Sequence, residues 1–162
     1  MKKLTLVRHA KSSWQYNLPD YLRPLNTRGI SDAELVSKHI NKLGFSTDYL
    51  LSSNAVRAQS TAEIFIEELQ IPSSICQFNH ELYDFSGEHL VFNIKNCPNH
   101  INNLLVFGHN DAITHFVNKY GSESIQNVPT CGLVTITFHV KSWNDIEKGT
   151  THTIIFPKDL KI

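Results

Sequence analysis

A chain of 162 residues with 41% apolar side chains can bury a sizeable core, and it reads as one domain over 1–162. Fifteen basic residues balance fifteen acidic ones, and scattered Lys and Arg argue against a nucleic-acid partner. No apolar run approaches the roughly 18 residues of a membrane helix, and no secretory h-region opens the chain, so the expected setting is cytoplasmic with no membrane partner. Cys76, Cys97 and Cys131 are odd in number and lack CxxC spacing, which suits reduced thiols.

Lys2-Lys3-Leu4-Thr5-Leu6-Val7 reads as a short strand, and it runs into Arg8-His9. Ser13 to Leu25, with two prolines and little periodicity, reads as a long loop, and such loops in compact domains are commonly functional. Asn26-Thr27-Arg28-Gly29 opens a helix whose apolar positions recur at helical spacing until Gly44, a glycine placed to end it. Asp48 to Ser52 is a short apolar strand. Ser53-Asn54 offers N-cap candidates for a helix from Ala55 to about Leu69, with Pro72 as its stop.

The spacing predicts a weaker strand over Ser73–Phe78, a loop over His80–Phe85 and a short helix over Gly87–Asn96. Asn103-Leu104-Leu105-Val106-Phe107 is the clearest strand, an unbroken apolar run of the kind buried on both faces. It enters Gly108-His109-Asn110-Asp111 and a helix to about Tyr120. Cys131–Val140 alternates and pairs with Thr151–Phe156 as an antiparallel hairpin. The fold class is therefore α/β: a three-layer sandwich with a mostly parallel central sheet, helices on both faces and a C-terminal hairpin.

Chemistry collects at three strand ends. The first ends in Arg8-His9, the second enters a helix carrying Arg57 in its first turn, and the central one ends in Gly108-His109 at a helix N-terminus. In a parallel sheet these ends share one edge, the edge where open α/β sheets bind ligands. Two arginines, two histidines and helix N–H groups suit one small anion, and a phosphoryl group above all.

These segments, with Asp20, Arg23-Pro24-Leu25, Arg28-Gly29, Ser53-Asn54-Ala55-Val56-Arg57-Ala58, Thr61-Ala62-Glu63, Leu82-Tyr83, Pro129-Thr130 and Trp143, resemble the histidine phosphatase superfamily. Within it the chain is most similar to the small bacterial SixA-type phosphohistidine phosphatases, over nearly its whole length and in the same order. The resemblance implies a phosphoglycerate mutase-like fold, no cofactor and no metal. It implies that His9 is the nucleophile, that Arg8, Arg57 and His109 bind the phosphoryl oxygens, and that Arg23 and Asn110 add substrate contacts. Two positions depart from the pattern: Ala10 stands where many members have glycine, as is usual in the small bacterial branch, and Asp111 stands where that branch commonly has proline.

Glu81, just before Leu82-Tyr83, occupies the place where larger relatives carry the acid that protonates the leaving group; Asp84 and Glu88 lie nearby. A general acid is worth roughly 10²–10⁴-fold. An alkoxide depends on it heavily and a departing imidazole far less, so Glu81 is expected to matter for alkyl phosphates and to be dispensable for P–N bonds. The remaining histidines show no HxxxH spacing and no completing carboxylate cluster, so no metal site is expected. The function expected is a metal-independent phosphatase with a phosphohistidine intermediate, a monomer acting on a phosphohistidine-bearing protein. The alternatives are a phosphomonoesterase for a small phosphorylated substrate on the same fold, and a non-catalytic phosphate-binding module.

Overall fold

A computed structural model describes residues 1–162. One six-stranded sheet carries the molecule: β1 (Lys2–Arg8), β2 (Tyr49–Ser53), β3 (Cys76–Asn79), β4 (Asn103–Gly108), β5 (Leu133–Phe138) and β6 (Thr150–Ile155). Their spatial order is β3-β2-β4-β1-β5-β6. β1, β2, β3 and β4 pair in parallel, while β5 runs antiparallel to β1 and to β6.

Helices α1 (Thr27–Lys42), α2 (Val56–Leu69), α3 (Glu88–Lys95), α4 (Ala112–Tyr120) and α5 (Pro157–Leu160) cover the two faces. Side chains on a strand alternate between faces, so an unbroken apolar strand feeds two cores at once. β4 does this: Leu104 and Val106 join the core under α3 and α4, while Leu105 and Phe107 join the core under α1 and α2. β1 divides likewise, Leu4 and Leu6 to one side and Val7 to the other.

Two boundaries differ from the sequence expectation, while α2 ends at Leu69 as expected. α2 has no side chain capping it from Asn54; its N-cap is Ala55, whose N–H is taken by Ser53 Oγ. Its end is set before Pro72 by Gln70, which adopts the left-handed conformation with φ 54°. The weak strand predicted over Ser73–Phe78 begins with a tight 3₁₀ turn at Ser73–Ile75, and only Cys76–Asn79 is strand.

Register fixes where the site sits. Arg8 pairs with Gly108 and Ser52 with Phe107, so β1, β2 and β4 end level on one edge. The N-terminus of α1 presses on the chain just past His9: a Cβ on Gly29 would lie 2.1 Å from the Lys11 carbonyl oxygen. Only glycine permits that approach. Asn26 caps the same helix through Oδ1, which accepts from Gly29 N at 2.8 Å.

Candidate active site

His9 follows β1 and is buried. Its Nδ1 lies 2.8 Å from its neighbour's carbonyl, Ala10 O, which can only accept. Nδ1 therefore carries the proton, and Nε2 keeps a lone pair directed away from the backbone. The Ala10 N–H donates to Thr61 Oγ1, and that hydroxyl donates to the Arg57 carbonyl, which locks the His9 segment to the first turn of α2. On the other side Cys131 N donates to both Arg8 O and His9 O.

Arg57 is buried and reaches His9 directly: its Nε donates to His9 Nε2 at 3.3 Å. Its other two nitrogens are held by one residue, Asp20, through the backbone oxygen at 2.7 Å and Oδ2 at 2.8 Å. Asp20 also accepts from Arg23 Nη1 at 2.9 Å and from the Tyr83 hydroxyl at 2.6 Å. Burial opposes its charge, but hydrogen bonds from Tyr83, Arg57 and Arg23 outweigh that and hold the carboxyl well below the usual range. Arg23 is in turn fixed by Ser12 Oγ and Ser13 O, and its guanidinium stacks 3.3 Å from the ring of exposed Trp14.

Arg8 anchors one nitrogen on Val128 O at 3.0 Å, and its Nε is buried with no partner. Burial lowers its pKa and Asp111 raises it, so the unusual aspartate lies on the Arg8 side. His109 is fully enclosed, its ring 5.2 Å from those of His9, Tyr83 and Phe85. Its Nε2 lies 2.8 Å from Ser53 Oγ, and its Nδ1 is buried without a partner.

Both histidines are held neutral. Burial, followed by the charges of Arg57, Arg8 and Arg23, outweighs the Ala10 hydrogen bond and pushes His9 down to about 3. Burial, then His9 and Arg57, pushes His109 down to about 2. A neutral imidazole is the nucleophilic form.

The structure thus brings Arg8, His9, Arg57, His109 and Arg23 together. It does not bring in Asn110, whose amide is spent as a strut: Oδ1 accepts from Thr114 N and Oγ1, and Nδ2 donates to Asn127 and Val128. Glu81 also points elsewhere, lying 3.6 Å from His89 and sharing a surface hollow with Glu88, His89 and Phe92. Asp84 is committed to capping, its carboxylate accepting from the backbone of Ser86, Gly87, His89 and Leu90. No three His, Cys, Asp or Glu side chains gather in metal-binding geometry. Asp20, Tyr83 and Ser53 belong to the site without having been singled out by chemistry in the sequence. The signal available for Asp20 was its place three residues before Arg23, within an i,i+3 ion pair.

Residues 4–82 match the model of the histidine phosphatase superfamily, branch 1. That span is just under half of the chain and carries Arg8, His9, Arg23 and Arg57. Among curated relatives, an uncharacterised chloroplastic protein of Arabidopsis thaliana is 28% identical over 158 residues, which cover 89% of this chain and 70% of that one. Among solved structures, the protein histidine phosphatase SixA in complex with tungstate superposes with a TM-score of 0.79 at 21% identity, covering 98% of this chain and 99% of that one. The α-ribazole phosphatase of Shigella flexneri superposes with a TM-score of 0.66 at 16% identity, covering 96% of each. At these identities the two structures establish a shared fold. The frame seen here is thus shared with phosphatases that their names assign to different substrates.

Proposed function

We propose that this phosphatase removes the phosphoryl group from phosphohistidine on a protein, through a covalent phosphohistidine on His9 and without a metal ion. One observation carries the reading: two buried nitrogens without partners, Arg8 Nε and His109 Nδ1, flank a histidine whose Nε2 lone pair is freed by its Nδ1–H bond to Ala10. Buried polar groups are almost always paired, so an orphaned pair around a nucleophile marks where an oxyanion binds.

In the first step Nε2 attacks phosphorus and the P–N bond to the substrate imidazole breaks. His9 retains its Nδ1 proton, so the intermediate is a phosphorylated imidazolium, itself a good leaving group. Arg57 Nε, which faces Nε2 at 3.3 Å in the free enzyme, turns to a phosphoryl oxygen as the new bond forms. In the second step water attacks phosphorus, the P–Nε2 bond breaks and neutral His9 returns. Water supplies the fourth oxygen of inorganic phosphate and its spare proton passes to phosphate or solvent. The arginines and His109 stabilise the equatorial charge in both steps.

The leaving group decides between substrates. Asp20 is held ionised, Glu81 faces His89 and Asp84 caps α3, so no carboxylic acid stands ready to protonate an alkoxide. A phosphohistidine protonated on its distal ring nitrogen departs as neutral imidazole and needs no acid. Exposed Trp14, Leu22 and Phe85 around the cluster give a protein surface something apolar to rest on. Cys76, Cys97 and Cys131 are free thiols, which fits a reducing compartment such as the cytoplasm.

The test is release of phosphate from a phosphohistidine protein and from an aryl phosphate, with chelator present, for wild type and His9→Ala. Turnover that survives chelation, favours the protein and vanishes in the variant supports the reading. Loss of turnover on chelation, or an acid-stable phosphoenzyme in place of an acid-labile one, overturns it.

A further inference from the structure

We infer that Ser53 is a positioning residue that fixes the tautomer of His109, so that His109 offers an N–H rather than a lone pair to a phosphoryl oxygen. This rests on the reading of His109 as a phosphoryl ligand and adds what makes it one.

The argument is a count of protons. Ser53 closes β2 and is completely buried. Its Oγ lies 3.1 Å from Ala55 N and 2.8 Å from His109 Nε2. A backbone N–H can only donate, so toward Ala55 the hydroxyl oxygen accepts. Its single hydrogen then has one acceptor within reach, His109 Nε2. A hydroxyl that donates there requires a lone pair on Nε2. Burial keeps His109 neutral, with one ring proton, and that proton is left on Nδ1.

Nδ1 is the buried nitrogen with no partner, in a ring that sits 5.2 Å from the His9 ring. The opposite tautomer fails twice. The Ser53 hydrogen would be buried without an acceptor, and a lone pair on Nδ1 would face the negative oxygens of the substrate. The two histidines therefore share one protonation pattern but turn opposite nitrogens to the substrate: His9 presents bare Nε2, His109 presents Nδ1–H. Ala10 O sets the first and Ser53 Oγ the second. The serine reaches its histidine across 56 residues because β2 and β4 are neighbours in the sheet.

Long-range ¹H–¹⁵N correlation of histidine-labelled protein reads the tautomer directly. Wild type is expected to show His109 protonated on Nδ1 and bare on Nε2, with the Nδ1–H signal moving when inorganic phosphate or vanadate is added. Ser53→Ala should lose that fixed pattern and lower kcat/KM by about 10- to 100-fold, the cost of leaving a buried ring nitrogen unpaired. Ser53→Thr, which keeps a hydroxyl, should restore both. If Ser53 merely caps Ala55, Ser53→Ala will unfold more easily while the His109 signals and kcat/KM stay as in wild type, and the inference falls. A wild-type His109 protonated on Nε2 overturns it without recourse to any variant. A fixed Nδ1–H that ignores a bound anion overturns the donor role; the nucleophile assignment is judged separately, by His9→Ala.

Discussion

Two neutral histidines buried beside arginines should make this protein acid-sensitive in a defined window. In the unfolded chain a histidine titrates near 6.5, whereas in the fold His9 is pushed down to about 3 and His109 to about 2. Between those values the unfolded chain binds protons that the folded one refuses, so stability is complete above the unfolded value and falls as pH drops below it. From pH 7 to pH 5 the unfolded imidazole goes from mostly neutral to almost fully charged, and each such histidine removes about 2 kcal/mol of folding free energy. The interval lies above the range in which Asp20 takes up a proton, so that carboxylate does not confuse the result. The assay is urea unfolding at pH 7 and pH 5 for wild type, His9→Gln and His109→Gln. Each variant should lose about 2 kcal/mol less than wild type over this interval, since glutamine has no proton to take up. Equal losses in wild type and variants would mean that the folded histidines titrate as the unfolded ones do. The account in which burial and neighbouring arginines press both imidazoles toward the neutral form would then be refuted.

Asp20→Asn should lower kcat/KM roughly 10- to 100-fold, because Arg57 and Arg23 lose the charged acceptor that aims them, while stability at pH 7 changes by less than about 1 kcal/mol for a half-exposed carboxylate. Steady-state rates and urea unfolding test both halves, and the reverse pattern would make Asp20 a structural ion pair alone. Asp84→Ala should cost about 2 kcal/mol of stability through loss of the α3 cap and leave kcat/KM near wild type. A drop in rate of about 10²-fold or more with stability intact would instead mark Asp84 as a general acid.

What could be read from the sequence was local. Arg8, His9, Arg57 and His109 each sit within five residues of a strand end, and parallel strands carry such ends to one edge whatever lies between them. The partners that tune them act over distance. Tyr83 meets Asp20 across 63 residues and Ser53 meets His109 across 56, and no periodicity in a single chain announces either pairing. Asn110 shows the opposite limit. Its place after His109 suggested a ligand, but a polar side chain ahead of a helix finds backbone partners first, and Thr114 N claims it. Glu81 and Asp84 are alike in this respect, one drawn to His89 and the other to the α3 amides, although both lie within three residues of Tyr83.

The loop between β1 and α1 has a consequence for how such a protein can diversify. Its two ends are stitched to each other: Ser12 bridges Leu25, Ser13 N meets Pro24 O at 2.8 Å and Asn26 N meets Lys11 O at 3.0 Å. Residues 14–19 are exposed; Trp14 stacks on Arg23, and Asp20 reaches back to both Arg57 and Arg23. Chain added at the exposed end therefore pulls on neither His9 nor α1, and each doubling of a flexible loop costs only about 0.6 kcal/mol. The charged cluster at the strand ends and the exposed surface beside it thus lie on separable pieces of chain. Selection can lengthen, shorten or recolour the second while the first stands still.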